Sequence, residues 1–317
     1  MFRTYACGLL AASALGVTAA AQQQPVFHGQ GEAVRVFATV TDRDGRLVTT
    51  LTKDDFEIRD DGKPQPITQF DNTPQPIRMV VLLDTSGSMA GNLELVRAAS
   101  QQLLARLRPD DLARIGIFGE NVTISPEFTH DANALLSTIP EHIPPDAPTP
   151  LWRAVDQAMT TFDKGSAIRR VILVLTDGKD SGFTDFRHRP SSEADVIDHA
   201  REDEVMIYAV GMRSRFARGR QPLPGLGPGG LEAALTEDLP DPGLAKVADE
   251  TGGGYTEIRY GEDLAAAFER VADELHSQYL LGYAPPKHDG KVHKVEVRVN
   301  QKGLKPRAKK TYVAPKD

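Results

Sequence analysis

Cysteine occurs once among the 317 residues, at Cys7, inside an N-terminal segment that reads as removable, so the remaining chain can hold no disulfide. Stability must then come from a core, and a hydrophobic content of 40% suffices for one large domain or two modest ones. Positive charge is also short: 37 Lys and Arg stand against 44 Asp and Glu, a formal charge of −7, which argues against nucleic acid as the main partner. Long apolar runs are missing. The longest at the N-terminus, Tyr5 to Thr18 after Arg3, falls short of the ~20 residues of a membrane span. It ends in Ala19-Ala20-Ala21 before Gln22, the pattern of a secretory signal cleaved near Ala21. The expectation is a secreted or periplasmic protein with no transmembrane span in the mature chain. Its formal charge becomes −8, since removing Arg3 takes 37 basic residues to 36 against 44 acids.

Several catalytic signatures are absent as well. No Gly-x-x-x-x-Gly-Lys loop is present to cradle a nucleotide phosphate. Ser86 and Ser88 lie in no Gly-x-Ser-x-Gly elbow, which removes the main sign of a serine hydrolase. The histidines at 28, 130, 142, 188, 199, 276, 288 and 293 show no His-Glu-x-x-His spacing and read as single surface or loop residues. Asp84 and Asp177 suggest the paired carboxylates of metal-assisted hydrolysis, yet neither a general base nor the ligands of a second cation are evident. The chain therefore reads as a non-enzyme.

What is present is an oxygen-ligand motif. Val80 to Met89 runs Val-Val-Leu-Leu-Asp-Thr-Ser-Gly-Ser-Met, an apolar strand ending in Asp84, Ser86 and Ser88 at alternate positions. Oxygen-only ligands suit Mg²⁺, or Mn²⁺ or Ca²⁺, rather than zinc. A serine-rich turn after a strand also serves as a helix cap. Two further hydroxyl and carboxylate residues stand at equivalent points: Thr149 opens a helix and Asp177 closes the apolar run Val171 to Thr176. In an open parallel sheet, loops at the carboxyl ends of strands gather on one edge, which would bring all five together.

From Ile77 to about Ser277 strands and helices alternate, the pattern of a doubly wound, mostly parallel sheet of the α/β class. Strands are predicted at 77–84, 112–118, 121–125, 170–176, 205–211 and 254–258, and helices at 92–107, 131–139, 150–162, 192–203, 242–251 and 262–277. Both flanks have β texture. Val34, Val36, Ala38 and Val40 alternate near the start, and Val295, Val297 and Val299 near the end. Neither flank has enough strands to close a core alone, so both are expected to pair in one small β-sandwich into which the α/β domain is inserted. The predicted boundaries are a signal peptide at 1–21, sandwich halves at 22–76 and 278–317, and the inserted domain at 77–277.

This set resembles the von Willebrand factor A-type (VWA) domain, whose metal-ion-dependent adhesion site uses Asp-x-Ser-x-Ser, Thr and Asp in this order. The resemblance implies that Asp84, Ser86, Ser88, Thr149 and Asp177 hold a divalent cation. It further implies that an open coordination position accepts an acidic side chain of a partner protein, with the serines as direct ligands and the aspartates acting partly through water. The flanks Thr50-Leu51-Thr52-Lys53-Asp54-Asp55-Phe56 and Gln278-Tyr279-Leu280-Leu281-Gly282-Tyr283 are similar to those of a secreted bacterial family described as VWFA-related.

Two long segments are expected on the same edge. One carries Lys179, Arg187, His188 and Arg189, and the other carries Arg213, Arg215, Arg218 and Arg220, a basic rim able to steer an acidic partner. The alternative is a structural cation with binding done by the β-sandwich. Trp152, one turn into a helix, reads as a core anchor. The acidic pairs Asp60-Asp61 and Asp110-Asp111 read as turn residues, and Lys305 to Lys310 as a frayed, solvated end.

Overall fold

Alternation at Val34–Thr41 turns Val36, Ala38 and Val40 to one side and makes strand β1, with which the computed structural model, describing residues 33–164, 168–181, 191–213, 239–259 and 263–316, opens. A 3₁₀ turn at Lys53–Asp55 leads into β2 (Phe56–Asp60), followed by β3 (Lys63–Gln65) and β4 (Gln69–Asp71). The apolar run Ile77–Asp84 is β5, and a 3₁₀ turn at Gly87–Asn92 precedes helix α1 (Leu93–Ala105). Then come β6 (Leu112–Phe118), β7 (Val122–Ile124), α2 (Ala132–Leu136), α3 (Leu151–Met159), β8 (Arg169–Thr176), α4 (Glu193–Glu202) and β9 (Val205–Met212). The chain continues through α5 (Gly243–Thr251), β10 (Tyr255–Ile258), α6 (Leu264–Leu275), β11 (Tyr279–Tyr283), β12 (Val292–Val299), β13 (Lys305–Arg307) and β14 (Thr311–Val313).

The inserted domain carries a six-stranded sheet in the order β10-β9-β8-β5-β6-β7. All neighbours are parallel except β7, which pairs antiparallel with β6. The strand predicted at 121–125 is β7 (Val122–Ile124), antiparallel because only Gly119, Glu120 and Asn121 separate it from Phe118, too short for a crossover. The sheet is buried on both faces. Met79, Val81 and Leu83 pack against Val96, Leu103, Phe268 and Val271, while Val80 and Leu82 pack against Trp152, Val155, Val196 and Leu244. Trp152 is thus a core anchor as its position predicts. Each such aliphatic side chain contributes about 1.5–3 kcal/mol when fully buried, so the strands of β5 and β8 are rigid supports for whatever follows their ends.

Both chain ends build the second layer. One antiparallel sheet has the order β13-β1-β11-β4 and the other β14-β12-β2-β3, so each sheet mixes strands from before and after the insert. Val36, Ala38, Ile58, Leu281, Tyr283 and Val295 lie in their common core. The expected α/β domain set into a small β-sandwich is the observed architecture.

Three expectations need correction. The Lys305–Lys310 segment is not frayed: Pro306 is in register with Val40 on β1, and Lys309 donates to Glu204. Pairing is what holds it, since β1 would otherwise expose an unpaired edge. Asp60 and Asp111 are not exposed turn residues either. Asp60 is buried in β2 and accepts hydrogen bonds from the Tyr283 and Tyr312 hydroxyls, and buried Asp111 accepts from the Ile77 and Arg108 backbone N–H groups. Asp61, at φ +46° between β2 and β3, and the exposed Asp110 before β6 keep the turn role. His293 is a buried strand residue rather than a surface histidine.

Candidate metal centre

β5 and β8 are hydrogen-bonded neighbours, with Leu83 in register with Leu175, so Asp84 and Thr176 emerge side by side at their carboxyl ends. Here the sheet order reverses: the chain leaves β5 for β6 on one side, and β8 lies on the other. That is where an open α/β sheet leaves a crevice for ligands. The Thr176 hydroxyl donates to Asp84 Oδ2, and the Ser86 backbone N–H donates to Asp84 Oδ1 at 2.7 Å. Asp84 is therefore fixed by the loop that follows its own strand and by the end of the neighbouring strand β8.

The two serines are free of the capping role. Ser86 stands at the N-cap of the 3₁₀ turn, yet its side chain makes no capping bond. Its Oγ lies 3.1 Å from Ser88 Oγ, and Ser88 Oγ donates to Asp177 Oδ1 at 2.6 Å. A hydroxyl chain thus runs from the loop after β5 to the carboxylate after β8. Thr149 completes the group from a third direction. It precedes α3 on the same edge, with its Oγ1 packed over Gly178: a Cβ at that glycine would stand 3.2 Å from it. The backbone of Thr149 is tied to the loop after β8 by Thr149 N–H to Ser181 Oγ (3.1 Å) and Ser181 N–H to Thr149 O (2.9 Å).

A second close approach locks the motif loop to the segment before Thr149. Gly87 donates its N–H to Ala147 O at 3.1 Å, and a Cβ at Gly87 would fall 1.9 Å from Pro145 O. No other residue fits there without moving the backbone. All five residues singled out by the sequence therefore line one edge. The structure adds residues that the motif does not contain: Thr176 on Asp84, Asp180 accepting the Trp152 N–H at the start of α3 (3.3 Å), and Asp241 accepting the N–H groups of Asp180 (3.0 Å) and Gly243 (2.9 Å). The sign available in the sequence was Thr176, a hydroxyl at the end of an otherwise apolar strand; Asp180 and Asp241 act across 61 positions and carry no local pattern.

Electrostatics favour a cation. Asp84 is 1% exposed and Asp177 3%, and neither forms an ion pair among the described residues. Burial pushes the Asp84 carboxyl up to about 7; the Ser86 and Thr176 hydrogen bonds oppose that rise, and the nearby Asp177 charge adds to it. Burial raises Asp177 too, against the Ser88 hydrogen bond. Two neighbouring buried carboxylates without a countercharge cost free energy that a hard divalent ion would offset. The donor set of two carboxylates and three hydroxyls fits such an ion.

The predicted basic rim is only partly described. Lys179 and Arg213 lie among the described residues, and the Arg213 guanidinium pairs with Glu257 on β10. Arg187, His188, Arg189, Arg215, Arg218 and Arg220 lie outside them, as do residues 1–32, where the signal peptide is expected. Among the described residues no helix is long and apolar enough to cross a membrane.

A second grouping with metal-ligand chemistry lies in the sandwich, where one ligand atom each from Asp60, Asp61 and His293 fall within 4.8 Å of one another. Its members already satisfy one another. His293 Nδ1 is 2.8 Å from Asp61 and Nε2 2.9 Å from Asp289, so neither ring nitrogen is left to bind an ion.

Residues 79–228 match the family model of the von Willebrand factor type A domain. No curated protein matches the chain. Among solved structures, the chain is similar to the conserved hypothetical protein BatB from Bacteroides thetaiotaomicron, with 18% identity over 63% of this chain and 97% of that one and a TM-score of 0.44. It is similar to a von Willebrand factor type A protein from Catenulispora acidiphila, with 14% identity over 92% and 76% and a TM-score of 0.48. A third similarity is to proximal thread matrix protein 1 from the mussel byssus with a zinc-occupied MIDAS motif, at 16% identity over 68% and 49% and a TM-score of 0.44.

Proposed function

The chain carries a von Willebrand factor type A domain, and from that premise we propose that it is a non-enzymatic binding protein which captures an acidic side chain of a protein partner through a divalent cation. Asp84, Ser86, Ser88, Thr149 and Asp177 would hold the ion, with Mg²⁺ or Mn²⁺ favoured by an all-oxygen donor set. The observation that carries the reading is the pair of buried carboxylates, bridged by serine hydroxyls and without a paired cation among the described residues. Bound there, the ion supplies an electrophilic position for an outside carboxylate, because hydroxyl ligands neutralise little of its charge. The protein's own part is preorganisation. Thr176 and the Ser86 N–H orient Asp84, Ser88 orients Asp177, and Gly87 and Gly178 let three loops approach closely. Export by the N-terminal segment, with cleavage near Ala21, would present this edge outside the cytoplasm.

Calorimetric titration of the mature chain with Mg²⁺ and Mn²⁺ tests the site. Binding to the wild type that disappears in Asp84→Ala and Asp177→Ala, with far-UV circular dichroism retained, is the expected result; a wild type that binds neither ion sinks the proposal. The capture step is read on a resin bearing a glutamate-containing peptide, where retention should require the metal and end on chelation. Metal-dependent turnover of ester, phosphate or peptide substrates would contradict the non-enzyme reading.

A further inference from the structure

On the opposite edge of the sheet, where β8 and β9 begin, a cavity opens between the inserted domain and the sandwich. It measures about 70 Å³, room for roughly five water molecules. Its lining is strongly basic in an acidic protein: Arg35 from β1, Arg169 and Arg170 from β8, Arg201 from α4 and Lys309 before β14. Against these five cations stand two lining carboxylates, Glu204 and Glu250, and behind the wall Asp198, which pairs with Arg201 at 2.6 Å. Glu204 is already engaged by both Arg35 and Lys309. The rest of the wall is apolar, with Phe37, Ile197, Val205 and Met206.

Arg169 is the informative member. It is 6% exposed, and its guanidinium donates to Gln278 Oε1 at 2.7 Å and to the Leu275 carbonyl at 2.6 Å while lying over the Phe37 ring. These acceptors are neutral. No carboxylate pairs with Arg169 among the described residues, its Nε is buried without a hydrogen-bond partner, and burial lowers its pKa to about 10. The Asp111 carboxylate acts on this buried guanidinium only through space, without pairing with it.

We propose that this cavity binds a small organic anion, a carboxylate carrying a short apolar chain. The carboxylate would supply the negative charge that Glu204 and Glu250 do not, and the alkyl chain would cover Phe37, Ile197, Val205 and Met206. An inorganic anion would leave that apolar wall wet, and an uncharged chain would leave the cationic surplus unanswered. The cavity touches β1, α4, α5 and the segment joining β13 to β14, so an occupant would bear on both the inserted domain and the sandwich.

The test is calorimetric titration of the full chain, in buffer stripped of divalent cations by a chelating resin, with acetate, butyrate, 1-butanol and inorganic phosphate. Butyrate should bind roughly tenfold tighter than acetate, as two further buried methylenes imply, and tighter than phosphate; butanol should show no heat. Ala200→Leu, which fills the cavity from α4, and Arg201→Gln, which removes one charge from its wall, should each weaken butyrate at least tenfold. Asp84→Ala should bind it as the wild type does, which separates this site from the cation site. Failure of every carboxylate to bind the wild type overturns the proposal. So does butanol matching butyrate, phosphate exceeding it, or unchanged affinity in both cavity variants.

Discussion

His293 stands on β12 between two carboxylates, with Asp61 on Nδ1 and Asp289 on Nε2, and both ring nitrogens can donate only in the imidazolium form. Lys287 also reaches Asp61, at 3.0 Å, and Tyr312 lies against the ring. The hydrogen bonds that His293 donates to Asp289 and Asp61 raise its pKa above the ordinary 6.5. The same bonds hold Asp61 and Asp289 below the usual carboxylate range. The sign follows from both. The histidine contribution is complete below about 6.5 and is lost as pH rises through the raised value, while the carboxylate contributions are complete above about 4 and are lost as pH falls through the lowered values. The clamp is strongest between about pH 4 and 6.5. Urea unfolding at a series of pH values should show wild-type stability falling between pH 6 and 9 more steeply than that of His293→Gln; parallel curves would show that the clamp contributes nothing. The sequence could not reveal this cluster, because Asp61 and His293 are 232 positions apart and meet only through the β2–β12 pairing. The motif residues were legible for the opposite reason: Asp84, Ser86 and Ser88 share one turn, and Asp177 ends a strand whose apolar run is plain.

Helix α6 shows what an element needs beyond an apolar stripe. Leu264, Phe268, Val271 and Leu275 recur at helical spacing and are buried against the sheet. Its first turn is closed by Asp263, whose Oδ1 accepts the N–H groups of Ala265 (2.9 Å) and Ala266 (3.3 Å). Asp263→Ala should cost about 1 kcal/mol in chemical denaturation, within the usual range for a lost N-cap, while Asp263→Ser should recover most of it. An unchanged midpoint in Asp263→Ala would mean that packing alone sets the start of α6. Such stripes made the helices readable, but their ends moved. The helix predicted from residue 92 starts at Leu93 behind a 3₁₀ turn, and the one predicted at 131–139 spans only Ala132–Leu136. The tight turn at Gly87–Asn92 belongs with the contact of Gly87 on Pro145, a tertiary constraint that no local periodicity records.

At the scale of the whole molecule the question is how an inserted domain stays coupled to a sandwich whose halves it separates. Alternation in the flanks showed that each half lacked a core of its own; it could not show the polar junction beneath them. Glu274, near the end of α6, accepts from Thr39 on β1 (3.1 Å), from Tyr208 on β9 (2.6 Å) and from Arg307 on β13. Gln278 continues the network to Thr39 (2.8 Å), Tyr208 (3.2 Å) and Arg169 (2.7 Å). One carboxylate therefore joins a strand from each end of the chain to the central sheet. Glu274→Ala would leave the buried Tyr208 hydroxyl and the Arg307 guanidinium without their acceptor, a loss of about 1.5–3 kcal/mol for a charged hydrogen bond. Trp152, the single tryptophan, reports only on the inserted domain, whereas far-UV circular dichroism reports on both parts. Wild-type unfolding followed by the two signals should coincide. In Glu274→Ala the dichroism should begin to change first, because the sandwich loses its anchor while the doubly covered sheet keeps its own core. Coincident curves in the variant would mean that the β-sheet pairings alone, and not this junction, hold the two parts in one cooperative unit.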